Sequence, residues 1–131
     1  MTAPTHEVVR ITAEQLLFYY IFIDIERAII SSMKTIFEWD ESKARINFEK
    51  HKISFDEAST IFTDPLLITF ADDFHSDKEE RFISIGLSER NRVLLAIHTE
   101  REEKSETIVI RIISCRKATR TERKRYEKED E

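Results

Sequence analysis

A chain of 131 residues with 40% hydrophobic content, 36% charged residues and one glycine can build one compact core rich in regular elements, and it excludes two ordinary domains. The formal net charge of −5 excludes nucleic-acid binding through the whole surface, since phosphate affinity grows with the number of cationic contacts, so any such site must be a local patch. The single cysteine, Cys115, has no partner for a disulfide or a thiolate metal site, which points to a reducing, cytoplasmic setting.

Residues 1–32 read differently from the rest. The apolar run Leu16 to Ile23 stops at Asp24, short of the roughly 20 residues that a bilayer-spanning helix needs, and it lacks a basic flank and a cleavage site. This segment is expected to be an N-terminal helical extension. Met33 then opens what reads as a complete protein, so the expected native start is Met33 and the extension an upstream reading frame or the product of a misplaced start codon. An oligomerisation or membrane-surface helix is the other reading.

Lys34 to Trp39 has the residues of a strand, and Asp40 can cap a helix from Glu41 to about Lys50. Helical spacing places Ala44, Phe48 and His51 on one face, expected to be buried, with Lys43, Asn47 and Lys50 on its flank. Ser54 and Glu57 have capping-box spacing at the start of a second helix, with Phe55, Ala58, Ser59 and Phe62 inward and Pro65 as the stop. A strand over Leu66 to Phe70 leads into an acidic loop containing Asp72, Asp73, His75 and Asp77.

Three more strands are expected, at about Arg81 to Ser88, Arg92 to Thr99 and Thr107 to Ser114. Pairing Ser88 with Arg92 sets Ile83, Ile85 and Leu87 opposite Ile97, Leu95 and Val93, an apolar face that the two early helices should cover. The same register puts Arg81 opposite Thr99 and beside Arg101. Arg111 falls on the other face, with His98 and Ser84, unless a β-bulge intervenes. A charged helix follows Thr119, with Arg120, Arg123 and Lys124 on one side. The order β-α-α-β-β-β-β-α implies an α+β layer in which two helices pack on one face of an antiparallel sheet.

Phe37-Glu38-Trp39-Asp40, Lys43, Asn47, Lys50-His51, Ser54-Phe55 and Glu57-Ala58 form an ordered set that resembles the N-terminal signature of BrnT toxins. The likeness continues through Asp64-Pro65, His75-Ser76, Glu79-Glu80-Arg81, Ile85-Gly86, His98-Thr99-Glu100-Arg101 and Arg111 to Ala118, ending at Glu122 and Tyr126. It implies a toxin domain over residues 33–131, a RelE-like fold, and a metal-independent endoribonuclease that inhibits translation. It also implies neutralisation by a BrnA-type antitoxin, with operator DNA bound only through the toxin and antitoxin complex, no cofactor and no membrane partner. Two departures stand out: Lys52 where many members carry glycine, and Cys115 where alanine is usual.

Metal-free RNA cleavage needs an acceptor for the 2′-hydroxyl proton, cations to offset the phosphorane charge and an acid for the leaving oxygen. Arg81, His98, Glu100, Arg101 and Arg116 are the candidate catalytic residues, with a 2′,3′-cyclic phosphate as the expected product. Lys43, Arg111, Lys117 and Arg120 are candidates for gripping the RNA backbone. Several have a structural alternative. Arg81 and Arg101 could simply pair with Glu80 or Glu100, and His98 in an apolar strand fits a hydrogen-bonded core histidine. His75 could join a cation site with its acidic neighbours or merely be solvated, while His51 and Trp39 read as packing. The competing function is a catalytically inactive module that binds its antitoxin and helps repress the operator.

Overall fold

Thr12 and Gln15 cap the first helix reciprocally: the Gln15 amide donates to Thr12 Oγ1 at 3.2 Å, and the Thr12 amide to Gln15 Oε1 at 3.0 Å. The computed structural model describes residues 10–74 and 79–128, which fall into two units, Met1–Met33 and Lys34–Glu131. The first holds helix α1 (Ala13–Ser32), whose Leu17, Phe18, Tyr19, Tyr20 and Phe22 side chains are exposed. Among the described residues no helix is long and apolar enough to cross a membrane.

The second unit runs β1 (Lys34–Glu38), α2 (Glu41–His51), α3 (Phe55–Ser59), a 3-10 turn (Thr60–Thr63), β2 (Ile68–Ala71), β3 (Phe82–Leu87), β4 (Val93–Glu103), a second 3-10 turn (Lys104–Glu106), β5 (Thr107–Lys117) and α4 (Arg120–Lys128). The element order expected from the sequence holds throughout. The sheet has the order β1-β5-β4-β3-β2 and is mixed rather than wholly antiparallel, because β1 pairs parallel to β5, with Lys34 facing Thr107 and Glu38 facing Arg111.

The hairpin of β3 and β4 has the register read from its ends: Ile83 faces Ile97, Ile85 faces Leu95 and Leu87 faces Val93. That face, however, is not covered by the early helices. Tyr126 of α4 and Ala118 pack on Ile85 and Leu95. The early helices lie on the opposite face, where Ile53, Phe55, Ala58 and Ile61 meet Leu94, Ala96, Ile110, Ile112 and Cys115. Both faces of β4 carry aliphatic side chains, so alternation alone could not tell which layer each one receives.

Helix α2 is capped at Asp40, whose Oδ1 accepts the Lys43 amide at 3.1 Å. Its inward position is Asn47, 7% exposed, whereas Phe48 is 49% exposed and points away from the core. This corrects the expected Phe48 face. The reason is a polar anchor: Asn47 Nδ2 donates to the Cys115 carbonyl at 2.9 Å, and its Oδ1 accepts the Cys115 amide at 3.1 Å. An amide side chain thus serves both backbone groups of a core strand residue, which stabilises more than an apolar residue there could. Cys115 itself is fully buried, and burial pushes its thiol up to about 12, so it stays neutral and unreactive.

Ser54 caps α3 as expected, its Oγ accepting the Glu57 amide at 3.0 Å. Glu57 does not complete the capping box. Its buried carboxylate accepts from Ser88 Oγ at 2.8 Å and pairs with Arg92, tying α3 to the β3–β4 turn. Lys52 ends α2 in the left-handed region, φ 59° and ψ 28°, with its amide bonded to the Phe48 carbonyl at 2.8 Å. A β-carbon is strained there and glycine is not. Lys52→Gly is therefore expected to raise the stability by about 0.5–1 kcal/mol, read as a higher urea midpoint with unchanged slope. A lower midpoint would show that the lysine stem contributes more than its backbone costs.

Candidate functional site

The positions of the arginines follow from one irregularity in the sheet. Between β4 and β5 the ladder slips by one residue: Ile97 faces Ser114 but His98 faces Ile112, leaving Ile113 unmatched. The bulge reverses the alternation of β5 on either side of it. Arg111 consequently faces Thr99 and lies on the face of Thr99 and Arg101, not with His98 and Ser84 as simple alternation implied. Arg116, opposite Leu95, lies on the same face beyond the bulge. Extending the β3–β4 register by one pair places Arg81 there too, opposite Thr99.

Helix α4 covers only one half of this face. Arg116 lies beneath it, donating to both Glu122 carboxylate oxygens at 2.7 and 3.0 Å, while Thr119 and Glu122 form a reciprocal capping box that fixes the helix start. Arg125 stacks over Phe70 with its guanidinium carbon 4.2 Å from the ring centre. Among the described residues the other half is the more exposed. There Arg101 and Arg111 have side chains 45% and 42% exposed, and Arg81 31%.

Glu38, at the end of β1, ties this open half together. Arg101 Nη1 and Nη2 donate to its two oxygens at 2.6 and 3.1 Å, and Arg111 Nη1 stands 3.5 Å from Oε1. Arg101 also contacts Glu103 at 3.2 Å, and Arg81 contacts Glu79 at 3.2 Å. The expected alternatives, Glu80 and Glu100, are not the carboxylates seen in these pairs. Hydrogen bonds from Arg101 hold the Glu38 carboxyl below its ordinary range, and Glu38 in turn raises the already high value of Arg101. Glu38 entered the sequence reading only as part of a motif. The alternation of Phe37, Glu38 and Trp39 was the available signal, since with two aromatics inward the residue between them must face outward.

His98 and Glu100 belong to the opposite face. His98 is fully buried, its ring edge-on to Phe62 at 4.9 Å and stacked with Phe82 at 5.9 Å between centroids. Its Nε2 lies 2.7 Å from Ser84 Oγ, which is in turn 2.7 Å from Thr69 Oγ1. Nδ1 is 3.7 Å from a Glu100 oxygen, outside hydrogen-bond length. Burial pulls the imidazole down to about 4 and pushes Glu100 up. The ring is thus neutral at pH 7 and separated from the arginines by the sheet.

The remaining predicted positions are scattered. Lys43 is exposed on the first turn of α2. Lys117 and Arg120 are exposed where β5 passes into α4, and Lys117 and Arg123 line a shallow pocket of about 380 Å³ with Arg92. Trp39 packs edge-on against Phe55 at 6.0 Å, as expected of a core residue. His75 lies outside the described residues.

A sequence model described as "Ribonuclease toxin, BrnT, of type II toxin-antitoxin system" matches residues 39–122. No curated protein matches the chain. Among solved structures, the crystal structure of the Brucella abortus ribonuclease toxin BrnT is similar, with 22% identity, coverage of 67% of this chain and 100% of that chain, and a TM-score of 0.44. The family match spans more than half of the chain and includes every strand that contributes an arginine to the open face, and the protein belongs to the BrnT family of ribonuclease toxins of type II toxin-antitoxin systems.

Proposed function

We propose that this protein is a metal-independent endoribonuclease that inhibits translation, binding RNA on the open half of the sheet and cleaving it to a 2′,3′-cyclic phosphate. The observation that carries this reading is the placing of Arg101 and Arg111, on β4 and β5, and of Arg81, immediately before β3, on one face of the sheet. Guanidinium groups grip a phosphate bidentately and neutralise the charge that builds up on a phosphorane, whose stabilisation is a large share of such catalysis. Arg116, Lys117 and Arg120 would extend the track toward α4, and Lys43 would lie outside it. A buried, neutral His98 on the other face is a poor candidate to meet the 2′-hydroxyl, and Glu100 shares that face. The reading therefore rests on phosphate orientation and charge stabilisation rather than on a poised imidazole.

The experiment is the purified chain on single-stranded RNA with chelator present and the matching DNA as control. Cleavage of RNA alone, leaving cyclic phosphate ends, is expected, because the attacking group is the 2′-hydroxyl. Intact RNA in the presence of folded protein, or ends with a free 3′-hydroxyl, would overturn the mechanism.

A second reading is favoured by the carboxylates that already occupy these arginines: a module that binds a BrnA-type antitoxin and acts at the operator through that complex. Substituting Arg81 and Arg101 together with alanine separates the two. Lost toxicity with antitoxin binding retained supports the nuclease, and equal loss of both supports the binding module.

A further inference from the structure

We infer that Glu38 is a built-in competitor for the substrate phosphate, a carboxylate that occupies the Arg101–Arg111 grip in the free protein and must be displaced when RNA binds. The inference rests on the RNA-binding reading of this face. A carboxylate and a phosphodiester present the same feature to a guanidinium, two acceptor oxygens in a plane, and the Arg101–Glu38 contact has this two-pronged form at 2.6 and 3.1 Å. Arg111 approaches the same Oε1 at 3.5 Å from the neighbouring strand. One acidic group thus lies where a bridging phosphate would be gripped by both cations.

The position of Glu38 is fixed by the backbone rather than by the ion pair. It is the last residue of β1, held in register with Arg111, and Phe37 and Trp39 on either side pack into the opposite layer. The carboxylate therefore remains beside the site when the pair opens. Glu38 is 35% exposed on its side chain, so water and salt weaken the contact and leave it open to exchange with an incoming anion. Glu103 holds the other edge of Arg101, so that guanidinium keeps its orientation during the exchange.

Displacement of an internal carboxylate changes the salt dependence of binding. A phosphate that replaces Glu38 releases few counterions, because the arginines were already neutralised from within. Removing the charge of Glu38 exposes the cations to solution ions, which RNA then releases. Glu38→Gln keeps the shape and lifts the competition.

The test uses the full chain and a short single-stranded 2′-O-methyl oligoribonucleotide, which cannot be cleaved, titrated over a range of potassium chloride concentrations. Glu38→Gln is expected to bind about five- to tenfold more tightly near 0.1 M salt, with a log–log salt slope steeper by about 0.7, one counterion for the one negative charge removed. The gain should largely vanish in an Arg101→Ala background. Unchanged or weaker binding by Glu38→Gln, with Arg101→Ala itself weakened, would overturn the competitor role and leave the RNA face standing. If Arg101→Ala binds as tightly as the wild type, the RNA-face reading falls, and this inference falls with it. A Glu38→Asp variant keeps the charge and should retain the wild-type slope; a steepened slope in that variant would also count against the competitor role.

Discussion

Replacing Arg101 with alanine is expected to lower RNA cleavage by roughly 10²–10³-fold while leaving the melting temperature within about 2 °C of the wild type. The first part follows from its position on the same face as Arg81 and Arg111, one step along β4 from the Thr99 that they flank, where its guanidinium presents two parallel donors. The second follows from exposure: its contacts with Glu38 and Glu103 are made at the surface, where ion pairs contribute little to stability. Arg101→Lys should fall between, since an ammonium supplies the charge without the fork. Single-turnover rates and melting curves on the same preparations decide the matter. Full activity in the alanine variant would remove this face from the chemistry, whereas loss of activity together with loss of the melting transition would mark Arg101 as structural.

Acid should destabilise the protein already between pH 7 and pH 5, through His98. His98 is held at about 4 in the folded chain against about 6.5 when exposed, so the unfolded state binds the proton more readily. The stability that comes from burying the neutral ring is present above pH 6.5 and is lost as the pH falls toward 4. The full gap corresponds to about 3 kcal/mol, of which about 2 kcal/mol should disappear between pH 7 and pH 5. Around the ring stand Phe62, Phe82 and Ser84, and the Glu100 oxygen 3.7 Å from Nδ1 is beyond hydrogen-bond length, so it offsets a buried imidazolium only in part. Urea denaturation across this range should show the slope in the wild type, and a flatter one in His98→Gln, whose amide can still reach Ser84. Equal slopes in the two would assign the effect elsewhere. Glu57 and Glu122, both held below the usual carboxylate range by arginine partners, should add their own losses at lower pH.

Local signals in the sequence carried the fold far. The Asp40 and Ser54 caps, the Ser88 and Arg92 hairpin register and the order of elements all depend on neighbours within a few residues, and all hold. What failed was of longer range. Ile112, Ile113 and Ser114 contain nothing that marks a bulge, neither glycine nor proline, so the reversal that moves Arg111 across the sheet left no local trace. Glu57 reads as a helix cap until Arg92, thirty-five residues away, claims its carboxylate. Asn47 and Phe48 are adjacent on α2, and hydrophobicity favours the wrong one because the need for an amide arises from the strand it meets. Glu38 stood in view, yet its role depends on which strand pairs with β1, and a parallel partner at the far end of the chain has no short-range signature.

That pairing also bears on when the protein becomes dangerous to the cell that makes it. Strand β1 is among the earliest segments of its unit to be synthesised, but its partner β5 is the last strand to follow, and contacts between distant segments form late because a long loop must first be closed. Arg101 and Arg111 lie on the two final strands, so a nascent chain cannot present the assembled cationic face until nearly all of it has been translated. On the RNA-binding reading proposed above, a chain that stops before β5 lacks Arg111 and the strand that holds β1, so truncation there is expected to abolish RNA binding.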